Sequence, residues 1–254
     1  MCKYNNQFSL DETLKKSLNL NYLTYTNKSY GVGRYDLMHL VTPAHVNLDY
    51  LALYSNPSEY AKTPNTAVCF SEYDSVFDGR EGLWNSIYYN DMERLEGFRK
   101  RFERAKYFIS PDYSLYGDVP ESFNIYNIQR SRIVSIWLTI ECNSIVIPEV
   151  TYADEKSFSY MLDGLEDCNV VAFSAKGSLK KKEQRSLFVK AIDHTIDTLK
   201  DLRQIVVYDV SADFAKTRSL YFSHATAKGI ELTFPDNVLH DRNVHLRGKR
   251  HGQI

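Results

Sequence analysis

From about residue 107 onward, short apolar runs alternate with amphipathic segments, and that alternation is the strongest signal in the chain. Residues 107–109, 144–150, 170–174, 205–209 and 230–234 read as buried strands. Between them the period changes to that of a helix. Residues 121–142 form one such segment. Asp154 caps a second with Phe158, Met161, Leu162 and Leu165 on one face, and residues 183–202 carry a stripe of Leu187, Phe188, Ala191, Ile192, Thr195, Ile196 and Leu199. Ser178 is placed as the cap before that stripe. Ser211 caps a further helix through Phe214, Thr217 and Tyr221, Gly229 stops it, and Pro235 ends the strand that follows.

The first hundred residues are less regular. Phe8, Leu10, Leu14 and Leu18 suggest a short helix capped by Ser9 or Asp11, residues 31–33 a turn, residues 35–41 a strand and residues 67–71 a buried strand, with irregular chain from 45 to 65. Asp91 caps a helix with Leu95, Phe98, Phe102 and Ala105 on one face and Arg99, Lys100, Arg101, Arg104 and Lys106 on the other. Strands separated by helix-length connections imply parallel pairing with helical crossovers, hence an α/β fold. Roughly seven strands are countable by these templates. No glycine-rich nucleotide turn marks a doubly wound sheet: Gly31 and Gly33 are followed by Arg34 and Tyr35, where a third glycine and a helix would be needed. A barrel-like or incomplete barrel is therefore favoured over the doubly wound alternative, as one domain over residues 1–239 with a basic, mobile tail over 240–254.

Composition narrows the function classes. With 31 basic and 32 acidic residues among 254, no global field favours a polyanion or a membrane surface, so nucleic-acid binding would rest on the basic helix 99–106 and the tail 242–250. Cys2, Cys69, Cys142 and Cys168 are widely spaced, which fits reduced thiols in a cytosolic protein rather than a zinc knuckle or a disulfide framework. No stretch approaches membrane-spanning length. The histidines show no ligand spacing, and His194 falls off its helix stripe toward solvent.

Candidate chemistry gathers where parallel strands end, because ligands collect outside their carboxyl ends. Those positions hold Asp112 and Asp118, Glu149 and Thr151, Ser174 and Lys176, and Asp209 and Ser211. Asp112, Glu149 and Asp209 could form a carboxylate cluster for a divalent metal or for acid–base hydrolysis, with Asp118 as a further catalytic acid. Each could equally be a turn or helix cap. Asn127, Arg130 and Arg132 on the helix, with Ser174 and Lys176 in a small loop, are the candidates for gripping a nucleotide or another phosphorylated ligand. Arg132 lies on the apolar side of its helix, so a structural ion pair with Asp112 or Asp118 is the competing reading.

The segment S-P-D-Y-S-L-Y-G-D-V-P (Ser110 to Pro120), the N-I-Q-R-S-R run (Asn127 to Arg132) and I-V-I-P-E-V-T-Y (Ile145 to Tyr152) resemble a phage- and mobile-element-associated family catalogued as a domain of unknown function. The resemblance spans about residues 67–209. Where that family continues its V-I-P strand with threonine and tryptophan, this chain has Glu149 and Tyr152, and the strand that ends in glycine there ends in Asp209 here. The resemblance implies a phage, prophage or plasmid accessory gene and carries no activity with it. Two kinds of function follow: an enzyme or binder with an anion-accepting pocket, or a non-catalytic protein that modulates a host protein.

Overall fold

The structure, a computed structural model, describes residues 22–250. The expected helix around Phe8 to Leu18 lies outside them, as does Cys2. The described residues begin with α1 (Leu23–Thr26) and a two-stranded antiparallel hairpin, β1 (Gly31–Val32) and β2 (Leu37–Met38). The turn lies later than the sequence suggests: Gly33 at φ +73° and Asp36 at φ +51° make it, and Gly31 belongs to the first strand. The predicted strand over 35–41 is reduced to β2, outside the parallel sheets.

Eight strands then pair only in parallel. β3 (Tyr50–Leu53), β4 (Thr66–Cys69), β5 (Tyr107–Ile109) and β6 (Ile145–Ile147) follow one another in space as in sequence, with β10 (Asp236–Asn237) on the outer edge of β3. β7 (Val170–Ser174), β8 (Gln204–Tyr208) and β9 (Glu231–Thr233) form a second sheet in the same rising order. A single parallel bridge between Glu149 and Ala172 connects the two sheets, backed by Ala172 N donating to the Pro148 carbonyl at 2.8 Å. Because each strand neighbours its predecessor, the order never reverses as a doubly wound sheet must. The barrel does not close: β9 and β10 are joined through Phe234 and Pro235 but not paired.

Both faces of the strands are buried, so their side chains are apolar almost throughout. Leu51, Ala67, Cys69, Tyr107, Ile109, Ile147, Val170, Ala172, Val206 and Tyr208 share one cluster with Val46 and Leu48, which brings the inner faces of both sheets together. The alternate positions, among them Ala52, Val68, Phe108, Val171 and Val207, pack in the larger cluster beneath the helices. Gln204 is buried among these residues, with its amide exchanging hydrogen bonds with the backbone of Val46 at 2.9 Å each way. β3 and β10 are the strands the sequence conceals. The first is four residues long amid polar loops, and the second is two residues immediately after Pro235, which stops one strand without preventing the next.

The helices are α2 (Asp74–Phe77), α3 (Leu83–Tyr89), α4 (Met92–Phe102), α5 (Glu121–Glu141), α6 (Lys182–Thr198), α7 (Phe214–Tyr221), α8 (Ser223–Ala227) and α9 (Val238–Arg250). Asp91 caps α4 as its sequence predicts, accepting from Arg94 N at 3.1 Å, and Leu95, Phe98 and Phe102 face the core. Two other caps shift. Asp213, not Ser211, accepts from Lys216 N to cap α7, and α6 begins at Lys182, so Ser178 instead donates to the Ser174 carbonyl. Asp154 caps only the 3-10 turn Glu155–Ser159, because a glycine at 164 in the left-handed region (φ +83°) and the turns before it break the helical pattern. His194 is half-buried rather than solvent-facing. Its ring stacks on Phe158 at 5.3 Å and its Nε2 meets the Phe158 carbonyl at 3.1 Å.

Residues 240–250, set apart by their basic charge, lie in α9. His240 donates from Nδ1 to the Ser211 carbonyl and stacks on Phe214 at 3.8 Å, and Asn243 Nδ2 donates to the Val210 carbonyl at 2.6 Å. Among the described residues no helix is long and apolar enough to cross a membrane, and Cys69, Cys142 and Cys168 are free thiols.

Candidate functional site

The carboxyl ends of β5, β6 and β7 open onto a cleft of about 450 Å³. Asp112, Ser114 and Tyr116 line it from beyond β5, Glu149, Thr151 and Tyr152 from beyond β6, and Ser174, Lys176 and Ser178 from the end of β7, with Gln184 reaching in from α6. Such divergent strand ends are where parallel sheets hold ligands.

The 110–116 segment has little regular structure of its own, and α5 supplies what it lacks. Asn124, Asn127 and Ser131 recur at three- and four-residue spacing, which puts them on one helix face. Ser131 Oγ donates to the Pro111 carbonyl at 2.6 Å, Asn127 Nδ2 to the Ser114 carbonyl at 2.8 Å, and Asn124 both accepts from Tyr116 N at 3.0 Å and donates to its carbonyl at 2.8 Å. From the other side, Asp74 accepts from Ser114 N and Oγ at 3.1 and 2.9 Å. Ser110 joins the two central strand ends: its N donates to the Ile147 carbonyl at 2.9 Å and its Oγ accepts from Glu149 N at 2.8 Å. Asp112 and Glu149 are thereby fixed beside each other.

That pair is electrostatically unusual. Neither carboxyl has a salt-bridge partner among the described residues, and Asp112 Oδ1 and Glu149 Oε2 are buried without a hydrogen-bond donor. Burial raises the Asp112 carboxyl well above the ordinary carboxylate range, and the charge of Glu149 raises it further, against a smaller pull from its own backbone N–H and from Lys176. Burial pushes Glu149 up to about 8, with the Ser71 hydroxyl drawing it part of the way back. Two neighbouring carboxyls raised together in this way favour their protonated forms more than exposed carboxylates do. Tyr208 is 2% exposed with its hydroxyl without a partner, and burial raises its pKa with Cys69 and both carboxyls adding to the effect.

The other candidates lie elsewhere. Asp209 is buried but committed: its two carboxylate oxygens accept from Ser211 N and Oγ, each at 2.8 Å, and it does not line the cleft. The three-carboxylate cluster is therefore not assembled, and among the described residues no group of three His, Cys, Asp or Glu side chains gathers at metal-binding spacing. Asp118 is exposed on the loop before α5 and outside the cleft.

The arginines do not reach the cleft either. Arg130 Nη1 donates to Asp78 at 2.7 Å and Nη2 to Asn127 Oδ1 at 2.9 Å, with its guanidinium 3.9 Å from the Tyr113 ring centre. Arg132 pairs with neither Asp112 nor Asp118. It is 3% exposed, donates from Nη2 to the Met161 carbonyl at 3.3 Å and leaves Nε unpartnered, so burial lowers its pKa to about 10. Asn127 serves the segment beside the cleft. Only Ser174 and Lys176 of the proposed ligand-gripping set line it, and Lys176 Nζ donates to the Ser71 carbonyl at 2.8 Å.

Ser71, Tyr208 and Gln184 were not legible as site residues. Ser71 lies two residues beyond β4, as Glu149 lies two beyond β6 and Lys176 two beyond β7, so counting from strand ends would have found it. The basic face of α4 is also largely committed within the molecule. Arg99 donates to Glu141 at 2.7 Å, Lys100 lies 3.8 Å from Glu96, and Arg101 donates to the Tyr54 carbonyl.

Fold and site define a parallel α/β protein with a carboxyl pair in a cleft at its strand ends. The chain belongs to the family described as Domain of unknown function (DUF4417), which it matches over residues 32–223. It is 28% identical over 160 residues to the Gene 1 protein of Mycobacterium phage D29, covering 62% of this chain and 54% of that protein. To the Gene 1 protein of Mycobacterium phage L5 it is 29% identical over 150 residues, covering 58% and 60% respectively. The phage association that the motifs suggest is thus supported by relatives. The chain spans between half and three fifths of the length of these two.

Proposed function

We propose that the cleft between Asp112, Glu149 and Lys176 is the working site of an enzyme acting on a small molecule by proton transfer, in the cytoplasm of a bacterial host. The observation that carries this reading is the buried, unpaired carboxyl couple facing a cleft. Burying such groups side by side costs stability and contributes nothing to packing, which is the usual sign of a site kept for its chemistry. A couple sharing one proton offers an acid and a base at the same pH, and both members are raised toward the range where that happens, Glu149 to about 8.

The ligand this site suits is not the phosphorylated one that the sequence suggests. Arg130 and Arg132 are spent outside the cleft, and two carboxyls with one exposed lysine make a poor seat for an anion. The lining hydroxyls of Ser114, Thr151, Ser174 and Ser178 suit an uncharged or cationic compound. The test is thermal stability against a panel of uncharged, cationic and anionic small molecules, on the wild type and on Asp112→Asn and Glu149→Gln. This reading expects at least one class to raise the midpoint in the wild type and in neither variant. Shifts that persist in both variants, or no shift at all, would contradict it.

A second reading, docking onto a host protein, draws on exposed aromatics: Tyr73 is 86% exposed, Phe123 61% and Tyr126 49%. Nucleic-acid binding draws on Arg104, just beyond α4, and on the exposed face of α9, since the cations of α4 itself are largely paired.

A further inference from the structure

The unpaired oxygens of the carboxyl couple point to a more particular ligand. Ordinarily a buried carboxylate is matched by a guanidinium, an ammonium or several N–H donors. Here the cation that acts on the couple, and the nearest arginine of the following helix, are both engaged elsewhere. Lys176 turns its ammonium to a backbone carbonyl, and Arg130 serves Asp78. The Tyr208 hydroxyl, buried and unpartnered within reach of the charge of both carboxyls, carries no charge of its own.

We infer that the cleft receives a small organic cation, a primary amine or a guanidine, whose charged N–H groups meet the carboxyls of Asp112 and Glu149, both of which line it. This rests on the cleft being the ligand site proposed above. Three tyrosines line the cleft, and of these Tyr116 and Tyr152 fit this class, since aromatic faces attract cations and Tyr113 is already covered by Arg130. An uncharged polyol would leave the couple's charge unmatched, and phosphate would oppose it. The bound cation takes the place of the shared proton, so no bond in the ligand forms or breaks in this step; one proton passes from the couple to solvent as the cation enters.

The charged and titratable groups around the couple are Lys176, Asp74, Glu72, Cys69, Tyr152 and Tyr208. Of these Lys176 alone is cationic. It is the internal competitor for the same charge, which makes Lys176→Met informative. Removing the ammonium leaves the couple intact and should tighten amine binding, whereas a lysine that itself serves the ligand should be missed.

The experiment is calorimetric titration of the purified chain with 1,4-diaminobutane and methylguanidine, with 1,4-butanediol and inorganic phosphate as the uncharged and anionic counterparts. At least one of the two cations should bind, the diol and phosphate should not, and affinity should rise about tenfold per pH unit between pH 6 and 8 as the shared proton is displaced. Proton release should show as a heat that varies with buffer ionisation enthalpy. Asp112→Asn should lose the binding, and Lys176→Met should strengthen it severalfold. Binding of the diol or phosphate instead, dependent on Asp112, would overturn the inference and leave the cleft as a ligand site. Amine binding that is equal in wild type and Asp112→Asn would overturn it as well. Failure of all four probes, while other compounds in the thermal panel give Asp112-dependent shifts, would count against the cation and not against the cleft.

Discussion

Ser131 Oγ donates to the carbonyl of Pro111 at 2.6 Å, so the middle of the longest helix holds the residue immediately before Asp112. Both residues are buried. The bond is one of several by which α5 gives a defined shape to a segment without regular structure, and it gives the buried Ser131 hydroxyl its partner. A buried carbonyl left without a donor costs roughly 1–3 kcal/mol. Ser131→Ala should therefore lower stability by about that amount in denaturant titration, and it should also change the titration of the carboxyl couple. A variant as stable as wild type with an unchanged couple would mean that the segment holds its own shape.

Arg130 and Asp78 form a half-buried pair at 2.7 Å, and Arg130 also covers Tyr113. Removing one member leaves the other charge desolvated, which costs about 3–5 kcal/mol for a fully buried pair and less here. Arg130→Met should be clearly destabilised, by about 2 kcal/mol, while retaining any ligand response of the cleft. Loss of the response with unchanged stability would return Arg130 to the role of a ligand-gripping residue.

Arg132 presents the opposite case. Its guanidinium is buried with one 3.3 Å bond to a carbonyl and no carboxylate partner. Replacing a poorly compensated buried charge by an apolar side chain of similar length is often neutral or stabilising by about 1–4 kcal/mol. Arg132→Met should leave the unfolding midpoint unchanged or raise it. A large loss of stability would reveal a compensation that these contacts do not provide.

The carboxyl couple makes stability depend on pH in an uncommon direction. Asp112 and Glu149 are raised in the folded chain, Glu149 from 4.5 to about 8, so between those values the folded state holds protons that the unfolded state has released. Stability is therefore fully present below the unfolded values and is lost as pH rises toward 8. One proton gives a slope of at most about 1.4 kcal/mol per pH unit. Glu149→Gln should flatten this fall between pH 5 and 8 and be more stable than wild type above it, as read by urea unfolding across that range. Parallel curves for the two proteins would mean that Glu149 ionises normally.

Much of the architecture was legible because strands buried on both faces leave continuous apolar runs, as residues 170–174 and 204–208 do. β3 and β10 were not: Tyr50–Leu53 is too short to stand out from its loops, and Asp236–Asn237 is polar and directly follows a proline. The site was half-legible. Asp112 and Glu149 were placed by their distance beyond strands, and the same rule put Asp209 with them, since sequence does not show that Ser211 would take both of its oxygens. Arg130 and Arg132 were assigned to a ligand because a helix face can be inferred from spacing, whereas the partner across it, Asp78 or the Met161 carbonyl, comes from distant parts of the chain.

The proposed function turns on Asp112 and Glu149 sharing a proton at neutral pH. The direct measurement is a pH titration of their side-chain carboxyl carbons by NMR, assigned through Asp112→Asn and Glu149→Gln. The account predicts a pair that titrates together, with one step near pH 8 that disappears in either variant. Two independent carboxyls, each titrating near pH 4, would contradict it.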